Sequence, residues 1–206
     1  MFCRIIMTRV KFYFRRMIEK YRAKKLRKTV DLSDITLLSQ NCIGGVMYHD
    51  CEAKFLSPTV NLYMMPSDFL KFVNNYEHYI SETPLVCDGE KYPVGTFSDG
   101  LQINFMHYDS KEEALKKWES RKIRINKNKI FVICIERDGF SQENYEEFKK
   151  LKFPKVLFTK DESRKSDTDC IYIKKYKNEA EVPDIIPYRK MYYRNSLPKL
   201  VKKAFD

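Results

Sequence analysis

Glycine and proline are scarce in this chain, six and eight among 206 residues. That scarcity excludes collagen-like and low-complexity architectures and leaves a folded protein, 43% hydrophobic, long enough to bury a full core without staples. No apolar run approaches the roughly 20 residues that cross a bilayer. The amino terminus also lacks the uninterrupted apolar core of a signal peptide. The cysteines (Cys3, Cys42, Cys51, Cys87, Cys134 and Cys170) form no C-x-x-C pair, which argues against a zinc ribbon or a dithiol redox motif and for a reducing cytoplasm. Cys42, His49 and Cys51 match no common zinc spacing, so no metal site is expected. Phosphate loops of the G-x-x-x-x-G-K-[ST] type, G-x-G-x-x-G fingerprints and G-x-S-x-G elbows are all missing.

Acidic residues are nearly absent from one place. Residues 1 to 30 hold eleven Lys and Arg against the single Glu19, which accounts for ten of the chain's eleven net positive charges. A basic arm on a neutral body does not resemble a nucleic-acid-binding domain, whose basic surface belongs to the folded unit. Within residues 3 to 26, Cys3, Ile6, Met7, Val10, Phe14, Met17, Ile18 and Tyr21 recur at the spacing of one helical face, with Lys and Arg over most of the rest. The pattern predicts a basic amphipathic helix over 1–30, preceding an α/β domain over 31–206. Residues 1–28 suit an anionic membrane surface; packing of the apolar stripe on the body is the other reading. The location expected is cytoplasmic, at the inner face of the membrane if the arm docks there.

The body opens with an apolar strand, Ile35 to Leu38, then a polar turn, then Gly44-Gly45 starting a helix. Thr59 to Met64 reads as a second strand, and Pro66-Ser67-Asp68 starts a helix burying Phe69, Phe72, Val73, Tyr76 and Ile80. A short strand Leu85–Cys87 precedes a hairpin, Tyr92–Phe97 and Leu101–Tyr108, turning at Ser98-Asp99-Gly100. Alternation places His107 on the apolar row of Leu101, Ile103 and Phe105. Ser110 and Glu113 form a capping pattern before a helix burying Ala114, Leu115, Trp118 and Ile125, with Lys117, Arg121 and Arg124 as a cationic row beside it. The unbroken run Ile130–Ile135 marks a strand buried on both faces. A helix capped by Ser141, strands at Val156–Phe158 and Ile171–Tyr176, an irregular tail and a helix opened by Pro198 complete the chain.

This order predicts a three-layer α/β/α domain with a mixed, mostly parallel sheet, whose ligand would gather at the carboxyl ends of its strands. Those ends carry Gln40-Asn41-Cys42, Pro66-Ser67-Asp68, His107-Tyr108-Asp109, Glu136-Arg137-Asp138 and Thr159-Lys160-Asp161. A helix start favours anions and lowers the pKa of a thiol placed like Cys42. Two chemistries follow. In one, Asn41 and the backbone of Gly44 and Gly45 hold phosphate, Arg137 with Arg121 or Arg124 neutralises it, and Asp138 or His107 is the general base. In the other, Cys42 is a nucleophile with His107 as base, oriented by Asp138 or Asp109, in a thiol hydrolase or acyltransferase.

Five blocks carry a resemblance: ITLLSQNCIGG from Ile35, SPTVNLYMMPSDFLKFVNN, YPVGTFSDGLQINFMHY, KKWESRKIRI and ERDGFS. Together, over roughly residues 33 to 176, they resemble an uncharacterised bacterial family of unknown-function domains whose members often occur in exopolysaccharide and capsule biosynthesis loci. Where members often read N-C-W-G-G, this chain has Ile43. The resemblance implies an α/β fold, a connection with surface polysaccharide, and recurrent polar positions at Asn41, Cys42, Asp99, His107, Arg121, Arg124, Arg137 and Asp138. The leading expectation is an accessory enzyme of surface-polysaccharide biosynthesis that binds a sugar phosphate or nucleotide sugar. A non-catalytic module binding carbohydrate or a partner at the membrane surface is the third possibility. No cofactor is specified.

Overall fold

The computed structural model describes residues 17, 20, 21, 23–184, 193 and 196–206. The chain forms β1 (Thr36–Ser39), α1 (Ile43–Asp50), α2 (Pro66–Asn74), α3 (Tyr76–Ser81), β2 (Leu85–Cys87), β3 (Val94–Thr96) and β4 (Gln102–Asn104). There follow α4 (Lys111–Lys122), β5 (Ile130–Ile135), α5 (Gln142–Lys150), β6 (Lys155–Thr159), β7 (Cys170–Tyr172) and α6 (Leu197–Lys203). Single 3-10 turns lie at Glu162–Arg164 and Lys174–Tyr176. Residues 17, 20, 21 and 23–29 are helical; the rest of the expected amino-terminal helix lies outside the described residues.

The centre is a four-stranded sheet in the order β1-β5-β6-β7. Every pairing is parallel, in the registers Thr36↔Ile130, Val132↔Lys155 and Leu157↔Cys170. All six residues of β5 are buried, as its unbroken apolar run requires of a strand covered on both faces. Alternation divides the sheet's side chains between two cores. Leu38, Val132, Cys134 and Leu157 join Phe69, Phe72, Trp118 and Phe148 from α2, α4 and α5. Leu37, Phe131, Ile133, Ile135 and Phe158 join Ile43, Met47 and Tyr48 of α1, Leu26 and Val30 of the amino-terminal segment, and Leu197 and Val201 of α6. These are the three layers.

The sheet is purely parallel rather than mixed. Strands β2, β3 and β4 form their own antiparallel sheet, packed by Ile103 and by the neighbouring Phe97, Leu101 and Phe105 into the Trp118 core. A physical reason lies on the outer edge of β1. Its inward amides pair with β5, Thr36 N–H donating to Lys129 O at 2.8 Å and Gln40 N–H to Ile133 O at 3.2 Å. Its outward groups meet side chains instead: Leu37 N–H donates to the Tyr48 hydroxyl at 2.9 Å, that hydroxyl donates to Ile35 O at 2.6 Å, and Ser39 N–H donates to Thr59 Oγ1 at 3.1 Å. An edge satisfied this way cannot accept another strand.

The expected strand Thr59–Met64 is a turn with one isolated bridge, Tyr63↔Asn104. Asn61 has a φ of 63°, a left-handed conformation that breaks an extended run. The helix caps agree with the sequence. Ser110 accepts from Glu113 N–H, and Ser141 forms a reciprocal capping box with Asn144.

Candidate functional site at the carboxyl edge

With all four central strands parallel, their carboxyl ends share one edge, and three segments meet there. After β1 come Gln40, Asn41 and Cys42; after β5 come Glu136, Arg137, Asp138 and Gly139; after β6 come Lys160 and Asp161. The segment 174–184 then leaves β7 and crosses back over the edge. Val182 N–H donates to Glu136 O at 2.8 Å, and Asp138 N–H donates to Glu181 Oε2 at 2.7 Å. Asp138 has a φ of 58° and Gly139 of 78°, a left-handed pair that turns the chain sharply beneath this crossing.

Near β1 and β5 the edge is an ionic cluster. Arg137 Nε lies 2.8 Å from Asp138 Oδ2, and its Nη2 lies 3.6 Å from Glu181 Oε1. Burial opposes the Arg137 charge, but Asp138, Glu181 and Asp184 outweigh it and raise the guanidinium's pKa. The Tyr63 phenol is pushed up to about 12, first by burial and then by the Asp138 carboxylate. Arg137 Nη1 and Gln40 Nε2 are buried donors without a hydrogen-bond partner among the described residues, an uncommon state for interior polar atoms.

Between β5 and β6 the same edge opens into a hollow of about 410 Å³ lined by Glu136, Lys160, Asp161, Glu162, Lys177 and Asn178. Two of its carboxylates are internally engaged. Glu136 Oε2 accepts from the Thr159 hydroxyl and, at 3.0 Å, from Lys160 N–H, and it lies 3.5 Å from Arg164 Nη1. Asp161 accepts from Ser163 and lies 3.3 Å from Arg164 Nε. Arg164 is itself buried and lies with its guanidinium 4.3 Å from the Tyr145 ring centroid. The ammonium groups of Lys160 and Lys177 make no ion pair among the described residues, so they are the cations this hollow offers to a ligand.

The residues singled out from the sequence divide into two sets. Asn41, Cys42, Gly44, Gly45, Arg137 and Asp138 do lie on or under the carboxyl edge. At the start of α1, however, the donors are spent internally: Asn41 Oδ1 accepts from Ile43 N–H at 3.2 Å, and Ser39 Oγ accepts from Gly44 N–H at 3.2 Å. A Cβ on Gly44 would lie 2.7 Å from that Oγ, and one on Gly45 would lie 3.0 Å from Val60 Cγ1. These glycines permit close packing of α1 rather than a phosphate cradle.

The Cys42 thiol is buried and pushed up to about 11, by burial first and by Asp184 second. The lowering expected of a helix start is reversed because a thiolate there would be desolvated beside a carboxylate. At neutral pH, iodoacetamide should therefore modify exposed Cys87 at least tenfold faster than Cys42, Cys51 or Cys134, a ranking that peptide mass spectrometry of the native protein would check. Fast labelling of Cys42 would contradict it.

Asp99, His107, Arg121 and Arg124 are not brought to this cluster. His107 is exposed in a turn because β4 ends at Asn104, and no hydrogen bond links it to Cys42. Arg121 points inward, not along a surface row: its Nη1 donates to Val60 O at 2.8 Å and to the Tyr108 hydroxyl. The guanidinium also lies 5.4 Å from the Phe55 ring centroid. Arg124 follows α4 just before Asn126, whose N–H donates to Thr36 Oγ1 at the start of β1; it belongs to the opposite, amino edge. Asp99 closes the β3–β4 turn.

The Asp99 carboxylate lies 2.6 Å from the Tyr79 hydroxyl and 2.9 Å from Lys71 Nζ, and it accepts from Leu101 N–H at 3.1 Å. Tyr79 first, then Lys71, hold its pKa below the ordinary 3.8. A lowered folded-state pKa means that the stabilisation is present above the unfolded value and is lost as pH falls through the lower folded one. Asp99→Asn should thus melt below the parent at neutral pH, with the gap narrowing once pH drops under about 4. Melting curves across that range test the sign.

Tyr63, Lys177 and Glu181 were not readable as site residues. The first sits in a segment that reads as a strand, and the other two come from a tail that reads as irregular chain. Their only signal is polarity in a segment long enough to return across the sheet.

A parallel sheet with helices on both faces and its polar groups collected along the carboxyl edge defines an open-sheet α/β protein. The chain belongs to the domain-of-unknown-function family DUF1919, whose model matches residues 9–203. It is similar to an uncharacterised protein of the bacterium Haemophilus influenzae, with 35% identity over 176 residues covering 82% of this chain and 84% of the relative. Among the described residues no helix is long and apolar enough to cross a membrane.

Proposed function

We propose that the protein binds a sugar phosphate or nucleotide sugar at the carboxyl edge, as an accessory enzyme of surface-polysaccharide biosynthesis held at the inner face of an anionic membrane by its basic amino-terminal segment. The observation that carries the site is the hollow between β5 and β6, where Lys160 and Lys177 make no ion pair among the described residues while Glu136 and Asp161 are engaged by Arg164. Two lysines in the lining of a hollow of about 410 Å³ suit a phosphate or diphosphate. Next to it, Asp138 and Glu181 offer carboxylates to sugar hydroxyls, and Asp138 serves as general base in this reading. The connection with polysaccharide rests on the family resemblance.

Isothermal titration of the full-length protein with uridine diphosphate glucose, glucose 1-phosphate, inorganic phosphate and glucose tests the binding. Saturable binding of a phosphorylated sugar, tighter than inorganic phosphate by tenfold or more, is expected. Absence of heat with every compound, or equal affinity for inorganic phosphate, overturns the assignment.

A further inference from the structure

The described part of the amino-terminal helix is built with its mixed face outward. At 100° per residue, Met17, Lys20, Tyr21, Lys24 and Lys28 fall on one side, while Leu26 falls opposite. Accessibility agrees: Met17 is 64% and Tyr21 71% exposed, the three lysines are exposed, and Leu26 is buried. Met17 and Tyr21, the two described members of the stripe, therefore face solvent, interleaved with cations.

A second basic helix lies alongside. In α6, Leu197, Pro198 and Val201 are buried, Leu197 and Val201 in the same core as Leu26 and Val30, while Lys199, Lys202 and Lys203 point out. Arg27, Lys28, Lys129, Lys202 and Phe205 share the walls of one hollow of about 360 Å³ with Asp31, Asp34 and Asp206, where Lys129 lies 2.6 Å from Asp34 and Lys202 3.9 Å from Asp206. Both helices sit at the amino edge of the sheet. Arg27 pairs with Glu52, just beyond the carboxyl end of α1, and Lys129 immediately precedes β5. Six residues of β5 at about 3.3 Å each separate this edge by roughly 20 Å from the carboxyl edge.

We infer that the amino-terminal helix and α6 together form one docking surface for an anionic bilayer, and that docking leaves the carboxyl-edge hollow facing the aqueous side. The inference rests on the membrane reading above and deepens it: the ligand would be taken from solution, not from the lipid phase. Charge complementarity selects the occupant. Lys20, Lys24, Lys28, Lys199, Lys202 and Lys203 are all exposed, and the outward Met17 and Tyr21 supply the apolar and aromatic anchors that headgroup-level helices use.

The test is co-sedimentation of the full chain with vesicles of phosphatidylcholine alone or mixed with phosphatidylglycerol, in low and high salt. Binding should need the anionic lipid, weaken in high salt, and fall at least tenfold both in Met17→Ser/Tyr21→Ser and in Lys199→Glu/Lys202→Glu/Lys203→Glu. Parental binding by the α6 variant overturns the composite surface. Binding to neutral vesicles, or to none, overturns the bilayer as occupant. Orientation is read separately from any ligand, with an environment-sensitive thiol probe at Lys203→Cys or Lys177→Cys in a Cys3→Ser/Cys87→Ser background. A blue shift with anionic vesicles is expected at position 203 only; a shift at 177 overturns the orientation. Neither readout uses a sugar phosphate, so failure of the carboxyl-edge assignment would be seen in the titration alone.

Discussion

Replacing Tyr48 with phenylalanine is expected to lower stability by about 2–4 kcal/mol, a large effect for the loss of one oxygen. The ring is fully buried, and its hydroxyl accepts from Leu37 N–H and donates to Ile35 O, so phenylalanine would keep the packing and orphan two backbone groups. Water cannot easily replace the hydroxyl there, and an unsatisfied interior amide costs about 1–3 kcal/mol. The contrast is Tyr172→Phe. That hydroxyl has no hydrogen-bond partner among the described residues, so the change should stay within about 0.5 kcal/mol. Urea unfolding distinguishes them: the Tyr48 variant should show a lower midpoint at unchanged slope. Equal midpoints for the two variants would mean that the hydroxyl is not the cap of the β1 edge.

Reversing both Lys160 and Lys177 to glutamate is expected to weaken binding of a sugar phosphate about 100-fold or more, roughly 2.7 kcal/mol. Four units of charge change at a hollow whose remaining acids are Glu136, Asp161 and Glu162. Phosphate would then face an uncompensated acidic wall. Lys177 is exposed, Lys160 is half-buried, and neither makes an ion pair among the described residues, so the melting temperature should scarcely move. Lys152→Glu, on the exposed loop after α5 and outside the hollow's lining, controls for a charge reversal placed elsewhere. If the double variant bound like the Lys152 variant, the hollow would not be where phosphate sits.

Local rules made much of this fold legible. The apolar run of β5, the serine caps at 110 and 141 and the glycine turn after β1 each follow from a physical preference that acts within a few residues. What escaped was long-range. Period-two alternation identifies an extended segment but does not say which sheet it joins, so the hairpin looked like part of one mixed sheet. The left-handed Asn61 is one residue in a run that otherwise reads as strand. Arg121 was placed on a surface row because arginine usually is; its acceptors, Val60 O and the Tyr108 hydroxyl, are distant in sequence. At the carboxyl edge, Asn41, Cys42, Arg137 and Asp138 were foreseen from strand ends, because a parallel sheet necessarily gathers them. His107 failed because its strand stops at Asn104, three residues before it.

The crossing of residues 174–184 bears on how the protein comes off the ribosome. Strands β1, β5 and β6 are complete once residue 159 has emerged, and they can pair while synthesis continues. Lys177 and Glu181, together with the Val182 amide that ties the crossing to Glu136, arrive only afterwards. The nascent chain thus holds a sheet before it holds a finished edge, and the proposed ligand would be captured only after residue 182 has emerged.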